Sequence, residues 1–239
     1  MAEDLWIVGF HAVLGVLQSP RPVDALLIQR GRRDARIHKI IEAARGRNLR
    51  WDVVDRSRLD RISSGAAHNG CAVRTAPVDF VPLDDLLRAH GEPGRLLLLD
   101  DVEDPHNLGA AVRTAAALAV DGVVVAGPSA PPLGGAVAKA AAGLLERVPI
   151  ARVKVGADAL STARDAGYWV FGADADGTPV DQVKRTPRWV LCVGAEGRGL
   201  RAKTRSRVDE LVAIPMAPGV ESLNLSVSAG ILLWELSRS

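Results

Sequence analysis

The chain has 239 residues, 48% of them hydrophobic and 24% charged, a net charge of +2 and two cysteines. That length fits one large domain or two small ones, with enough apolar residues for a sizeable core. Cys71 and Cys192 form no CxxC pair, which argues against a disulfide scaffold and a cysteine zinc site, and no uncharged apolar run reaches the roughly 18 residues of a membrane span.

The start, Met1-Ala2-Glu3-Asp4, is acidic, whereas a secretory signal starts basic and continues apolar, so a reduced cytoplasmic setting is expected. The first predicted elements are a short helix around 11–17 and a strand at 25–29. Residues 34–48 place Ile37, Ile40, Ile41 and Ala44 on one helix face. Strands at 52–55 and 71–75 complete a small α/β unit ending near Ala76. Residues 1–76 hold 13 Lys/Arg against 8 Asp/Glu, and the remainder 17 against 20. A basic N-terminal part suits phosphate contact, although a solvated arginine-rich surface accounts for the same charges. Residues 77–93, with Pro77, Pro82, Gly91 and Pro93, read as a linker holding one or two helical turns.

The pattern changes at Arg95. Leu96, Leu97, Leu98 and Leu99 form an unbroken apolar run, as in a strand buried on both faces of a parallel sheet. A loop at 103–107, a helix at 108–119 and a strand at 122–126 make a βαβ unit. A helix at 136–145, a segment at 148–152, a helix at 157–166, strands at 168–173, 189–193 and 211–214, and a helix at 223–236 follow. Strands alternating with helices predict an α/β domain with a mostly parallel sheet.

Three loops carry polar residues where such a sheet binds ligands. In the first, Asn107 reads as a helix N-cap, Gly109 permits close backbone approach, and Arg113 sits on an otherwise apolar helix, either snorkelling to solvent or serving an anion. Asp100, Asp101, Glu103 and Asp104 suggest Mg²⁺, but no phosphate-binding lysine loop accompanies them, and no metal site is expected. The second loop, Gly194-Ala195-Glu196-Gly197-Arg198-Gly199, has the wrong spacing for a dinucleotide fingerprint. Its glycines imply tight turning, and Glu196 suits hydroxyls or a cation better than phosphate. In the third, Ser222 reads as the N-cap of the last helix. Asn224 is then unexpected in a first turn, and Ser222, Asn224, Ser226 and Ser228 suggest a polar pocket.

At these loops the sequence closely resembles the SpoU group of the SPOUT RNA methyltransferases. The resemblance lies in LDDVEDPHNLGAAVRTA at 99–115, GAEGRGL at 194–200 and IPMAPGVESLNLSVSAG at 214–230. VGFHAVLGVL at 8–17 and HNGCAV at 68–73 resemble the substrate-binding domain of a branch that methylates a guanosine ribose in large-subunit ribosomal RNA. The resemblance implies an α/β trefoil-knot methyltransferase domain at 94–239, knotted from about residue 190 onward. A small L30e-like α/β domain for RNA substrate at 1–76 and a linker at 77–93 precede it. It also implies S-adenosylmethionine as methyl donor, transfer to a ribose 2′-hydroxyl of structured RNA, and a homodimer with each active site near the subunit interface.

By the same resemblance, Asn107, Arg113, Glu196, Ser222 and Asn224 are the polar active-site positions, and Gly194, Gly197, Ile214, Met216 and Leu223 form the cofactor site. Arg113 is the family's candidate for activating the hydroxyl. A guanidinium stays protonated at neutral pH, which favours an electrostatic role. The sequence departs from the family pattern at Asn69, at Ala140-Ala141-Ala142-Gly143 and at Leu225. The first bears on RNA recognition and the others on packing. Rival readings are a transfer-RNA ribose methyltransferase, a resistance enzyme acting on another rRNA nucleotide, and a catalytically silent RNA-binding assembly factor.

Overall fold

In a computed structural model, residues 5–89 and 94–238 are described. Residues 1–4, and 90–93 of the expected linker, lie outside them. The chain forms two compact units: one runs to Val78 and includes Pro132–Glu146, and the other comprises Asp79–Pro131 and the residues from Arg147 onward.

In the first unit a four-stranded sheet has the order β1-β4-β2-β3. Its strands are β1 (Leu5–Val8), β2 (Val23–Gln29), β3 (Asp52–Val54) and β4 (Cys71–Thr75). β4 runs antiparallel to β1 and β2, and β2 runs parallel to β3. Helices α1 (Phe10–Gln18), α2 (Ala35–Gly46) and α3 (Arg56–Ser63) join them. α2 begins where Asp34 accepts the backbone N–H groups of Arg36 and Ile37, and it buries Ile37, Ile40 and Ala44 as the periodicity requires. Arg32 donates to the same Asp34 carboxylate at 2.5 Å, and this bond holds its pKa below the usual carboxylate value. β1 and α3 were not expected. β1 is too short for a pattern, and α3, RSRLDRIS, has too few apolar positions to show a helical period.

The segment Pro132–Glu146, read from sequence as part of the second domain, packs in this first unit with α6 (Gly135–Ala140). Gly15 of α1 meets Gly143 so closely that a Cβ on Gly15 would lie 2.5 Å from the Gly143 carbonyl oxygen. Arg21, 7% exposed, donates through Nη1 to Glu146 Oε1 at 2.6 Å and through Nε to the Ala76 carbonyl at 2.7 Å. A buried guanidinium is tolerated because both a carboxylate and a carbonyl satisfy it.

The second unit holds a six-stranded parallel sheet of order β10-β8-β9-β5-β6-β7. The strands are β5 (Gly94–Asp100), β6 (Gly122–Ala126), β7 (Ile150–Val153), β8 (Trp169–Pro179), β9 (Arg188–Gly194) and β10 (Glu210–Ala213). Helices are α4 (Leu83–Ala89), α5 (Pro105–Ala117), α7 (Gly156–Asp165), α8 (Ala202–Arg205) and α9 (Leu225–Ser237). Leu96, Leu97, Leu98 and Leu99 are at most 1% exposed, which accounts for their unbroken apolar run at the centre of a doubly covered sheet. The α/β expectation with a parallel sheet is borne out. α4 occupies part of the stretch read as linker, and β8 extends six residues past its expected end at 173.

Candidate active site

Two N-caps differ from the sequence reading, and both differences build the site. α5 is capped by Asp104, whose carboxylate accepts the His106 N–H at 2.9 Å, with Pro105 next, where a missing N–H costs nothing. Asn107, expected to cap, is therefore inside the first turn, 8% exposed, with its amide free for other partners. α9 is capped by Asn224, not Ser222: Asn224 Oδ1 accepts the N–H of Ser226 at 3.0 Å and its hydroxyl at 2.7 Å. An Asn that looks misplaced inside a helix is well placed one residue before it. Ser222 lies in the preceding loop and is exposed.

These shifts leave three side chains joined across the three loops. Asn224 Nδ2 donates to Asn107 Oδ1 at 2.9 Å, and Asn107 Nδ2 donates to Glu196 Oε2 at 2.9 Å. Each amide thus has one orientation, with donor and acceptor both engaged. Glu196 is exposed beyond this bond.

Beside this chain opens a cleft of about 450 Å³ at the carboxyl ends of β8, β9 and β10. Gly194, Glu196, Gly197, Ile214, Met216, Ser222 and Leu223, all singled out from sequence, line it. The loop after β9 is wound so tightly that a Cβ on Gly194 would lie 2.1 Å from the Gly199 carbonyl carbon and oxygen. Gly197 and Gly199 take positive φ of 77° and 62°, the left-handed region where glycine is favoured. Asn107 and Asn224 reach the lining through their bonds. Arg113 is not a lining residue: it lies further along α5, exposed, and among the described residues no hydrogen bond or ion pair engages it.

The acids of the first loop each have a partner or a role. Asp100 is buried against Arg201, Glu103 pairs with Arg198, and Asp104 caps α5. Ser228 of α9, read from sequence as part of a polar pocket, also lines the cleft, whereas sequence reading missed Asp174 of β8 and Leu232 of α9. Asp174 pairs with Arg205. An acid near the carboxyl end of a parallel strand was the available signal, obscured because β8 was expected to end at 173. With Asp174, Glu196 and Glu221 on its walls and Ile214, Met216 and Leu232 beneath, the cleft suits a small ligand bearing positive charge, hydroxyls and an apolar body.

Comparison with known proteins shows the family. Residues 94–234 match the SpoU rRNA Methylase family, and residues 6–81 match a domain described as RNA 2′-O ribose methyltransferase substrate binding. The chain is 41% identical to the 23S rRNA (guanosine-2′-O-)-methyltransferase RlmB of Neisseria meningitidis, covering 100% of this chain and 96% of that protein. The crystal structure of the SpoU methyltransferase AviRb from Streptomyces viridochromogenes in complex with AdoMet superposes with a TM-score of 0.81 at 26% identity, over 99% of this chain and 90% of that one. A structure concerned with 2-OH methylation of C/U34 on tRNA covers 95% of its own chain but 60% of this one, with a TM-score of 0.55 at 28% identity. The fold class implied by the resemblance, a SPOUT methyltransferase domain with a small N-terminal α/β domain, is thus the one observed.

Proposed function

From the premise that this chain belongs to the SpoU rRNA methylase family, as an S-adenosylmethionine-dependent RNA ribose 2′-O-methyltransferase, we propose that it methylates a guanosine in large-subunit ribosomal RNA. The observation that carries the reading is the Asn224–Asn107–Glu196 chain at the cleft's edge, because it unites the three motif loops in one hydrogen-bonded unit. The full-length likeness to RlmB supports the ribosomal target, and the tRNA-related structure matches only 60% of this chain.

The cleft fits the cofactor. Its volume lies in the roughly 300–1,000 Å³ range of small-molecule sites, and its acids suit a sulfonium and an ammonium. The backbone at Gly194, Gly197, Ile214 and Leu223 would hold it, with Met216 against its body. Bound there, the cofactor supplies a methyl group on a good leaving group.

The protein must orient a ribose hydroxyl in line with that methyl and stabilise its loss of a proton. Asn107, with Glu196 and Asn224 fixing its amide, sets the edge against which the ribose rests. Arg113, exposed and unpaired among the described residues, holds the adjacent phosphate and stabilises the developing alkoxide. Ser222 offers a hydroxyl from the facing loop.

We further assign residues 1–76 to RNA binding, 77–93 to a linker and 94–239 to catalysis. α9 exposes Val227, Ile231 and Trp234 at 49%, 39% and 59% on one face, which supports a homodimer. The chemistry requires no metal, and its setting is the cytoplasm. No described helix is long and apolar enough to cross a membrane.

The test is transfer of a labelled methyl group to unmodified large-subunit rRNA, small-subunit rRNA and bulk tRNA. Label confined to large-subunit rRNA is the expected result. Label on tRNA alone keeps the chemistry and overturns the target, and no transfer to free or particle-bound RNA points to a silent RNA-binding factor.

A further inference from the structure

Behind the loop that carries Glu196 lies a charged clasp that the proposed chemistry does not use. Asp100, the last residue of β5, is fully buried and pairs in register with Gly194, where the loop begins. Arg201, just past the loop, gives this carboxylate three bonds. Its backbone N–H donates to Oδ2 at 3.3 Å, Nε donates to Oδ1 at 3.1 Å, and Nη2 donates to the same oxygen. Room for the carboxylate exists because residue 156, at the start of α7, is glycine: a Cβ there would lie 2.7 Å from Asp100 Oδ1. The bond to Asp100, with the charges of Asp100 and Asp101, raises the pKa of Arg201 above its ordinary value. A buried carboxylate without its cation is costly, so the clasp favours its closed state.

Between these anchors the loop has little freedom. Gly194 lies against Gly199, the Gly199 N–H donates to the Ala195 carbonyl at 2.8 Å, and Leu200 is buried. Residues 194–200 therefore form a closed lobe, tied at one end to β5 by strand pairing and at the other by Arg201. Glu196 sits on that lobe and reaches Asn107, which lies on the chain leaving the same strand β5.

We infer that Arg201 is a positioning residue for the cofactor: its clasp on Asp100 seats the 194–200 lobe against the end of β5 and sets the backbone and Glu196 that face the cleft. The inference rests on reading that cleft as the S-adenosylmethionine site. It differs from a role in general stability because it predicts a change in cofactor affinity in protein that is fully folded.

The experiment compares full-length wild type with Arg201→Gln, Arg201→Lys and Arg164→Gln. The last removes the 2.9 Å Arg164–Asp209 ion pair, near the start of β8 and away from the cleft residues of that strand. Binding of S-adenosylhomocysteine is measured by calorimetry, and KM for the methyl donor and kcat are measured with saturating RNA. In Arg201→Gln both Kd and KM are expected to rise about tenfold, with kcat within about twofold of wild type, since a misplaced loop weakens binding before chemistry. Arg201→Lys, which keeps the charge but not the fork of donors, should fall between the two. Arg164→Gln should bind as wild type. Equal affinity in wild type and Arg201→Gln overturns the inference, as does a lower kcat at unchanged KM. If circular dichroism shows Arg201→Gln unfolded, Arg201→Lys decides: a raised KM supports the clasp and an unchanged one overturns it. Wild type that binds no S-adenosylhomocysteine overturns the cofactor reading, and this inference with it.

Discussion

The two units each present a cleft, and the two are made of different material. In the first unit a cleft of about 500 Å³ is lined by the polar side chains of Gln29, Arg32, Arg56, Asp60, His68 and Asn69 beside the small residues Gly65, Ala66 and Ala67. Carboxylates aim the cations: Asp34 holds Arg32, and Asp60 lies 3.6 Å from Arg56 and 3.0 Å from His68 Nε2. The Gly70 N–H donates to His68 Nδ1 at 3.0 Å, and the other ring nitrogen, Nε2, is hydrogen-bonded with Asp60. In the second unit the glycine loop 194–199 forms one wall of the cleft, wound so tightly that no side chain fits between Gly194 and Gly199, and Asp174, Glu196, Ile214 and Met216 stand around it. Arginines on flexible stems can meet a polyanion whose shape varies, whereas a small ligand is better held against a tightly wound loop. The contrast matches the proposed division between RNA binding and methyl transfer.

That contrast can be broken in three places. The largest effect is expected from Asn107→Ala, which severs the link between Asn224 and Glu196. Methyl transfer should fall about 10²- to 10³-fold, the usual loss when an organising polar group leaves a reacting centre. Affinity for S-adenosylhomocysteine should be nearly kept, and a loss of affinity that matches the loss of rate would assign Asn107 to the cofactor instead. Next comes Arg113→Lys. Loss of the planar fork should lower kcat about tenfold at unchanged cofactor affinity, and near-normal turnover would exclude a need for the guanidinium. The smallest effect sharpens the comparison from the other side. Arg32→Gln with Arg56→Gln should weaken RNA binding and lower the salt slope by about one per lost phosphate contact. S-adenosylhomocysteine binding should not change, and a change there would end the separation of the two clefts.

Much of the second unit was legible because its chemistry is local. The run Leu96, Leu97, Leu98, Leu99 announces a buried parallel strand, and the three motif loops follow strands where ligands of such sheets bind. Asp104-Pro105 also spelled out the true start of α5, an acid cap followed by proline, and the attractive Asn107 hid it. Other features were not legible in principle. The bonds from Asn107 to Glu196 and Asn224 join residues 89 and 117 positions apart, and no periodicity encodes such a pairing. Neither does it encode a knot, which entered only through the resemblance. α3 is helical because Leu59 is buried while its arginines face outward, and so few apolar positions leave no pattern to read.

The place of Pro132–Glu146 in the first unit bears on how this chain is made. A nascent protein emerges N-terminus first, and an N-terminal domain ordinarily folds while the next is still being synthesised. Here the residues up to Val78 lack part of their own unit until Gly143 and Glu146 have left the ribosome. At about 5–20 residues per second that delay is roughly 3–14 seconds. Throughout it Gly15 has no Gly143 to pack against and Arg21 has no Glu146. The first unit is therefore completed only after residues 79–131 of the second have emerged, and for those seconds a nascent-chain chaperone would find its open face.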